Sequence, residues 1–366
     1  MARGALVLLG SGETAPGMTK VHREVLSRIE SPRAVNLDTA YGFQLNVPQM
    51  SEKLEEYFAT SLHVSLATLH FASYAASTEL DRALFKQQVR QANYVFAGPG
   101  SPTYALDQWA PLRFEEDLVD VLEHDGTLCF ASAAALTLGA FTAPIYEVYK
   151  VGVEELRWRT GLDVLAAVGL RCAVIPHYDN AEGGNYDTTR CYLGEVRLAE
   201  LERQLPNGVA ILGVDEHTAL IFDFTADKLT VSGRSNGYWR LKGESRVLAN
   251  GTTISLDELR TLKVEREAPT SFETPSKVGP LELGRLAAGG GENAIAALAQ
   301  LVQLAATGGE GRIDPAPLVD GILAARLSAR EQGQYELADS LRDLVIEAGF
   351  EVQDGPQGTT WTRRTD

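Results

Sequence analysis

The sequence predicts an α/β protein: a three-layer, doubly wound, mostly parallel sheet, followed by a small C-terminal helical hairpin plus β-hairpin module. Three observations predict it. Short continuous apolar runs such as Ala5-Leu6-Val7-Leu8-Leu9 and Tyr94-Val95-Phe96-Ala97 recur, as strands buried on both faces require. Segments of helical periodicity separate these runs, so consecutive strands are joined by crossovers rather than hairpins. Finally, a stretch of Lys, Glu, Pro, Ser and Thr interrupts the pattern before helical periodicity returns near the end of the chain.

Taken in order, residues 5–9 form the first expected strand and run into Gly10-Ser11-Gly12-Glu13-Thr14-Ala15-Pro16. A helix to about residue 30 follows, then a strand over 33–38 and a polar, aromatic loop holding Tyr41, Gly42, Gln44 and Asn46. Helices over 51–60, 79–92 and 114–124 alternate with strands over 63–69 and 94–97, the latter ending in the turn Gly98-Pro99-Gly100-Ser101-Pro102. The fifth strand is Gly126-Thr127-Leu128-Cys129-Phe130-Ala131, which delivers Ser132 into an alanine-rich helix start. Beyond residue 145 the rhythm changes: a strand over 171–176, a polar loop over 177–190 and a helix over 195–204. Short runs over 209–214, 219–224, 228–232 and 238–241 read as antiparallel strands extending one edge of the sheet. Residues 262–280 read as a linker, Gly289-Gly290-Gly291 as its loose continuation and 292–305 as a helix. The tail reads as helices over 316–331 and 335–348, with strands over 350–353 and 359–362. The expected organisation is a domain over 1–250, a linker and helix over 251–314, and a module over 315–366.

Composition bounds the function. Of 366 residues, 45% are apolar and 22% charged, which is ordinary for a globular chain. A formal charge of -16 disfavours non-specific attraction to nucleic acid or anionic membrane. Three cysteines (Cys129, Cys172, Cys191) make no disulfide framework, and Cys129 and Cys172 sit in apolar runs as reduced core residues. There is no CxxC or HExxH spacing, so neither metal nor cofactor is expected. The run over 5–9 is too short for a signal peptide or a membrane span, and a soluble, cytoplasmic protein is expected.

Ser132 is the centre of the functional reading. A strand feeding a tight turn lifts a serine hydroxyl above the sheet, and the next amide, that of Ala133, is placed to help bind an oxyanion. The same serine could be a buried residue of a helix start, so the reading needs a base and an acid. His22 and His124 fall inside expected helices, where they read as solvated, while His70 has no acidic neighbour in sequence. His177 directly follows the strand Cys172-Ala173-Val174-Ile175-Pro176, where catalytic groups of open α/β sheets gather. Gly213-Val214-Asp215-Glu216-His217-Thr218-Ala219-Leu220 offers two adjacent acids at a strand end. Of the Gly98-Pro99-Gly100 turn, Gly100 is the better second oxyanion donor because proline has no N–H.

These motifs, with Leu9-Gly10-Ser11-Gly12-Glu13 and Phe96-Ala97-Gly98-Pro99-Gly100, occur in an order that resembles the serine peptidase family of cyanophycinase and aspartyl dipeptidase. That family lies within the class I glutamine amidotransferase-like, flavodoxin-like fold. The resemblance covers roughly residues 1–245 and is nearest the cyanophycinase branch, whose Gly-Ile-Asp-Glu-x-Thr-Ala-Leu motif reads here from Gly213 to Leu220 with Val214 for Ile. It implies Ser132 as nucleophile, His177 as base and Glu216 as orienting acid. The expected function is a serine hydrolase cleaving a peptide or amide bond in an Asp-containing small peptide or polymer, by a Ser-His-Glu triad through an acyl-enzyme. Departures exist: Phe130 and Ala134 replace the two glycines of the family's Gly-x-Ser-Ala-Gly elbow, and Tyr178 replaces a Phe. A polar insertion from Asn180 to Cys191 follows the histidine. Asp215, Tyr178, Asn185 and Arg190 are therefore expected at the substrate.

The tail resembles the extreme C-terminus of cysteinyl-tRNA synthetases, on Ala338-Asp339-Ser340-Leu341-Arg342-Asp343-Leu344 and Gly349-Phe350-Glu351-Val352-Gln353-Asp354-Gly355-Pro356-Gln357-Gly358-Thr359-Thr360-Trp361. It implies a tRNA or translation partner. Because the segment holds more Asp and Glu than Lys and Arg, a docking or homodimerisation role is the favoured expectation. Two other readings stay open: a catalytically inactive relative acting as a tRNA- or protein-binding module, and a nucleotide-binding protein using the Gly10-Ser11-Gly12 loop with Asp38 at the next strand's end.

Overall fold

The computed structural model describes residues 3–152, 156–262, 316–331, 338–339, 341–342, 345–346, 350–355 and 358–363. It divides into two compact units, Met1–Arg266 and Glu267–Asp366. The expected helix over 292–305 and nearly all of the expected linker lie outside the described residues.

In the first unit, β1 (Ala5–Leu9), α1 (Pro16–Leu26), β2 (Ala34–Leu37), α2 (Val47–Tyr57), β3 (Leu66–Leu69), α3 (Glu79–Gln91) and β4 (Tyr94–Ala97) follow the alternation that the apolar runs require. Next come α4 (Pro102–Trp109), α5 (Phe114–Glu123), β5 (Thr127–Ala131), α6 (Ala133–Leu136), β6 (Phe141–Thr142), β7 (Arg159–Thr160), β8 (Cys172–Ile175) and α7 (Gly194–Gln204). The unit ends with β9 (Ala210–Val214), β10 (Thr218–Asp223), β11 (Lys228–Gly233), β12 (Gly237–Leu241), β13 (Glu244–Leu248), β14 (Thr253–Ser255) and α8 (Leu256–Thr261). The main sheet has eight strands in the order β14-β11-β10-β1-β5-β4-β2-β3. β1, β5, β4, β2 and β3 run parallel to one another, while β10, β11 and β14 continue the sheet antiparallel beyond β1.

Strand alternation sorts the core into two layers. Leu6, Leu8, Leu128 and Phe130 point to one face of the sheet, while Val7, Leu9, Cys129 and Ala131 point to the other. Helices cover both faces, which makes the three layers. α3 starts at a capping box in which the Thr78 side chain accepts the Asp81 amide and Asp81 reaches back to the Thr78 amide. α4, of which only Pro102 falls in the expected turn, starts at Ser101, whose side chain accepts the Tyr104 amide, with Pro102 at its first position.

Two expectations about the later strands change. Among the described residues, β10, β11 and β14 alone extend the main sheet; β9 and β12 enter a second, six-stranded sheet ordered β13-β12-β9-β8-β6-β7. β9 is buried at every position, so it needs a partner on each side and finds β8 in parallel and β12 antiparallel. The first unit also runs past residue 250, because Leu256 and Leu259 of α8 are buried in the larger core cluster.

His22 departs from its expected solvated place. Met18, Val21, His22 and Val25 form the buried face of α1. His22 Nδ1 lies 2.9 Å from Tyr94 Oη and its Nε2 lies 2.8 Å from the Glu13 carbonyl. Burial lowers its pKa to about 4, against a raising contribution from the Glu13 carbonyl. The unfolded chain therefore binds a proton here that the folded chain refuses, and stability present above about pH 6.5 is lost as pH falls toward 4. The loss should amount to about 3 kcal/mol in denaturant titrations across that window and should vanish in His22→Gln. A wild-type curve that is flat across that window would contradict it.

In the second unit, a helix (Ala316–Glu331) packs Val319, Ile322 and Leu323 with Leu341, Val345, Phe350 and Val352. β15 (Phe350–Gly355) and β16 (Gly358–Arg363) pair antiparallel as a hairpin. Trp361 Nε1 donates to Asp320 at 2.7 Å, and its ring meets Phe350 edge-on at 5.2 Å. Helical residues 338–339, 341–342 and 345–346 fall within the second expected tail helix, whose other residues lie outside the described ones. Among the described residues, no helix is long and apolar enough to cross a membrane.

Candidate active site

Ser132 sits where β5 turns into α6, with φ 50° and ψ -123°. That region is nearly closed to residues bearing a Cβ and costs about 1–3 kcal/mol where it occurs. Neighbours hold the turn: the Ser132 amide donates to the Leu9 carbonyl at 3.1 Å, and the Ala134 amide to the Gly98 carbonyl at 3.3 Å. Phe130 and Ala134, at the positions of the family's two glycines, are both fully buried; the Phe130 ring points into the core beside Trp109, 6.2 Å between centroids. The strand's alternation carries that bulk to the face opposite Ala131, so the turn forms without glycine.

His177 follows β8 and Glu216 follows β9, and the two loops converge on Ser132. Ser132 Oγ lies 2.8 Å from His177 Nε2, and His177 Nδ1 lies 2.7 Å from Glu216 Oε1. Burial raises the Glu216 pKa, but the hydrogen bonds from His177 and Asn180 outweigh it and leave a net lowering. The carboxylate thus stays anionic beside the imidazole. Ala133, the first residue of α6, carries one of the amides that a helix leaves unpaired at its start.

Gly100 adopts φ 151°, and a Cβ there would stand 1.9 Å from the Ala40 carbonyl oxygen. Gly100→Ala should therefore destabilise the unit by about 2–4 kcal/mol. Thermal unfolding of the variant reads this directly; an unchanged midpoint would mean that the loop yields.

Of the four expected substrate residues, Asp215, Tyr178 and Arg190 are engaged in contacts within the fold. Asp215 is fully buried, and its Oδ2 accepts from Ser235 Oγ, the Asn236 amide and Tyr238 Oη at 2.7, 3.0 and 3.2 Å. Burial raises its pKa against those three donors. Tyr178 is 1% exposed, packed 4.7 Å from the Tyr238 ring with the Arg190 guanidinium 4.1 Å from its ring centre. Arg190 also donates to the Tyr178 carbonyl and to Glu195. Tyr178 and Arg190 thus join the second sheet to the His177 loop, Asp215 ties the end of β9 to the start of β12 within that sheet, and Asn185 alone of the four is exposed.

The Gly10-Ser11-Gly12 loop is covered rather than open. A Cβ on Gly12 would lie 2.2 Å from His217 Nδ1, and Ser11 Oγ accepts the His217 amide at 3.3 Å. Asp38, needed at the ribose of a dinucleotide, has its oxygens engaged by His70 Nδ1 at 2.6 Å and the Phe71 amide at 3.0 Å. His70 therefore has its acidic partner in space, across two parallel strand ends.

Three residues at the site were not singled out from sequence. Asp179 accepts the Glu216 amide at 2.7 Å, and Asn180 Nδ2 donates to Glu216 Oε1 at 3.0 Å. Tyr192 places its ring 5.8 Å from the His177 ring, with Tyr149 stacked on it at 4.4 Å. Arg190, Cys191 and Tyr192 all have positive φ, a left-handed turn of three non-glycine residues that no local signal announces. Cys129, Cys172 and Cys191 are buried free thiols; burial pushes the first two up to about 12 and also raises Cys191. Among the described residues, no group of His, Cys, Asp or Glu could hold a metal ion.

No family model matches this chain. A solved peptidase from an acI-B1 Actinobacterium shares the fold: it aligns with 69% of this chain and 97% of its own, at a TM-score of 0.55 and 20% identity. Among curated proteins, the cysteine–tRNA ligase of Alkalilimnicola ehrlichii is 41% identical over 56 residues, 15% of this chain and 12% of the ligase. That of Pseudomonas fluorescens is 28% identical over 180 residues, 44% of this chain and 38% of the ligase. The chain thus spans about an eighth of the first ligase and under two-fifths of the second. A peptidase-type α/β fold and a partial similarity to cysteine–tRNA ligases therefore meet in one chain.

Proposed function

We propose that the first unit is a serine hydrolase that cleaves a peptide or amide bond in Asp-containing peptides through an acyl-enzyme. The observation that carries this reading is the unbroken series Ser132 Oγ–His177 Nε2, His177 Nδ1–Glu216 Oε1, at 2.8 and 2.7 Å. In it, Ser132 Oγ attacks the scissile carbonyl while His177 Nε2 takes its proton, and Glu216 stabilises the imidazolium. The amides of Ala133 and Gly100 receive the tetrahedral oxyanion. His177 then returns the proton to the leaving amine, and water repeats the sequence on the acyl-enzyme. The strained turn at Ser132 supports the same reading, because backbone strain of this kind collects where a side chain must be aimed.

The substrate class follows from the resemblance in motif order: α-aspartyl dipeptides or β-linked Asp–Arg units. The test is a panel of those substrates with matched Asn-containing controls, together with fluorophosphonate labelling read by mass spectrometry. Hydrolysis of the Asp members and a single adduct on Ser132 are expected. Absence of both hydrolysis and adduct would sink the reading.

For the second unit the motif resemblance to the ligase C-terminus suggests a role separate from the hydrolase, and its acidic balance suits docking to a protein partner or a second copy better than tRNA. Gel shift with tRNA, comparing the full chain with one ending at residue 314, separates these. A shift that needs residues 315–366 would favour tRNA.

A further inference from the structure

The acid of the series is held from two directions by the two residues that follow the base's neighbour. Asp179 Oδ1 accepts the Glu216 amide at 2.7 Å, fixing the main chain that carries the carboxylate. Asn180 Nδ2 donates at 3.0 Å to Oε1, the same oxygen that faces His177 Nδ1. Asn180 is itself fully buried and completely tied: its Oδ1 accepts the Glu182 amide at 3.2 Å, its own amide donates to the His177 carbonyl at 3.2 Å, and its carbonyl accepts from Thr188 Oγ1. One tetrapeptide, His177-Tyr178-Asp179-Asn180, thus supplies the base and both holders of its acid.

We infer that Asp179 and Asn180 are positioning residues of the reaction, with Asn180 holding the Glu216 carboxylate in place against the imidazole. A carboxylate held by one donor can swing about that bond; a second donor on the same oxygen restrains its position. This inference rests on the hydrolase reading for its catalytic consequence. Other titratable groups around Glu216 are His217 beside it, the buried Asp215 before it, and Cys191 and Tyr192 from the turn after the loop.

Asn180→Asp is the informative variant because it keeps the shape and exchanges the donor for an oxygen. Two carboxyl groups then share one site, and like charge forces one of them to hold a proton to higher pH. The acid limb of the kcat/KM profile should move up by about one pH unit or more, with kcat at neutral pH down about tenfold. Asn180→Ala, which removes the donor to Glu216 together with the acceptor of the Glu182 amide, should lower kcat with little change in KM. A readout independent of turnover is the low-field proton resonance of the His177 Nδ1–H bond, which should shift in Asn180→Asp. If the wild type takes no label and cleaves nothing, the hydrolase reading fails while this resonance still decides the positioning role. An Asn180→Asp resonance that coincides with the wild type's, or an unmoved acid limb in an active enzyme, would overturn the inference.

Discussion

Ser132→Ala should lower hydrolysis by about 10⁴- to 10⁶-fold, the scale on which removing the nucleophile of such a series acts. The residual rate would come from binding and oxyanion contacts alone. Folding should be almost unaffected, since alanine meets the same φ of 50° and loses only the bond from Oγ to His177. Ser132→Gly should be as inactive, yet gain about 1 kcal/mol or more of stability, because glycine occupies that backbone region without a Cβ penalty. Thermal unfolding beside kcat/KM separates the two effects. A Ser132→Ala enzyme keeping more than about a tenth of the activity would exclude Ser132 as nucleophile. A Ser132→Gly protein no more stable than the wild type would show that the turn is not strained.

Much of this site could be read in the chain because of where residues fall rather than what surrounds them. Ser132 and His177 stand at the ends of runs apolar enough to be strands buried on both faces, and such strand ends converge in an open α/β sheet. Asp215 and Glu216 were different. Neighbouring residues leaving a strand point to opposite sides, so one acid turns to Ser235, Asn236 and Tyr238 and the other to His177. Partners 20 to 39 residues away decide which is which, and local pattern does not contain them. Asn180 and Asp179 carry no local signal for the same reason. The burial of His22 is legible: Met18, Val21, His22 and Val25 share the spacing of one helical face, and three of the four are apolar. α4 hid behind Gly98-Pro99-Gly100-Ser101-Pro102, where a turn and a helix start use the same residues. The second sheet was not legible because burial on both faces marks a central strand without naming its sheet.

Glu216→Gln should lower kcat by about 10²–10⁴-fold, and the geometry around Oε1 favours the smaller loss. An amide in place of the carboxylate can turn its N–H₂ toward His177 and force the imidazole into the tautomer whose Nε2 carries the proton, so that it can no longer accept from Ser132. Here that rotamer is opposed, because Asn180 Nδ2 also points at Oε1 from 3.0 Å and would meet the amide N–H₂ donor to donor. The amide oxygen should therefore stay between Asn180 and His177, preserving the tautomer and losing only the negative charge that stabilises the imidazolium. Asn180→Ala combined with Glu216→Gln should release the amide and cost more than the product of the separate losses. The pH dependence of stability gives an independent check. Hydrogen bonds from His177 and Asn180, against opposing burial, leave the folded Glu216 pKa below its unfolded value, so its contribution is present above the unfolded value and is lost as pH falls through the folded one. Stability curves of wild type and Glu216→Gln should therefore differ most near neutrality and converge in acid; a gap that widens as pH falls would mean that the carboxylate is not held as an anion.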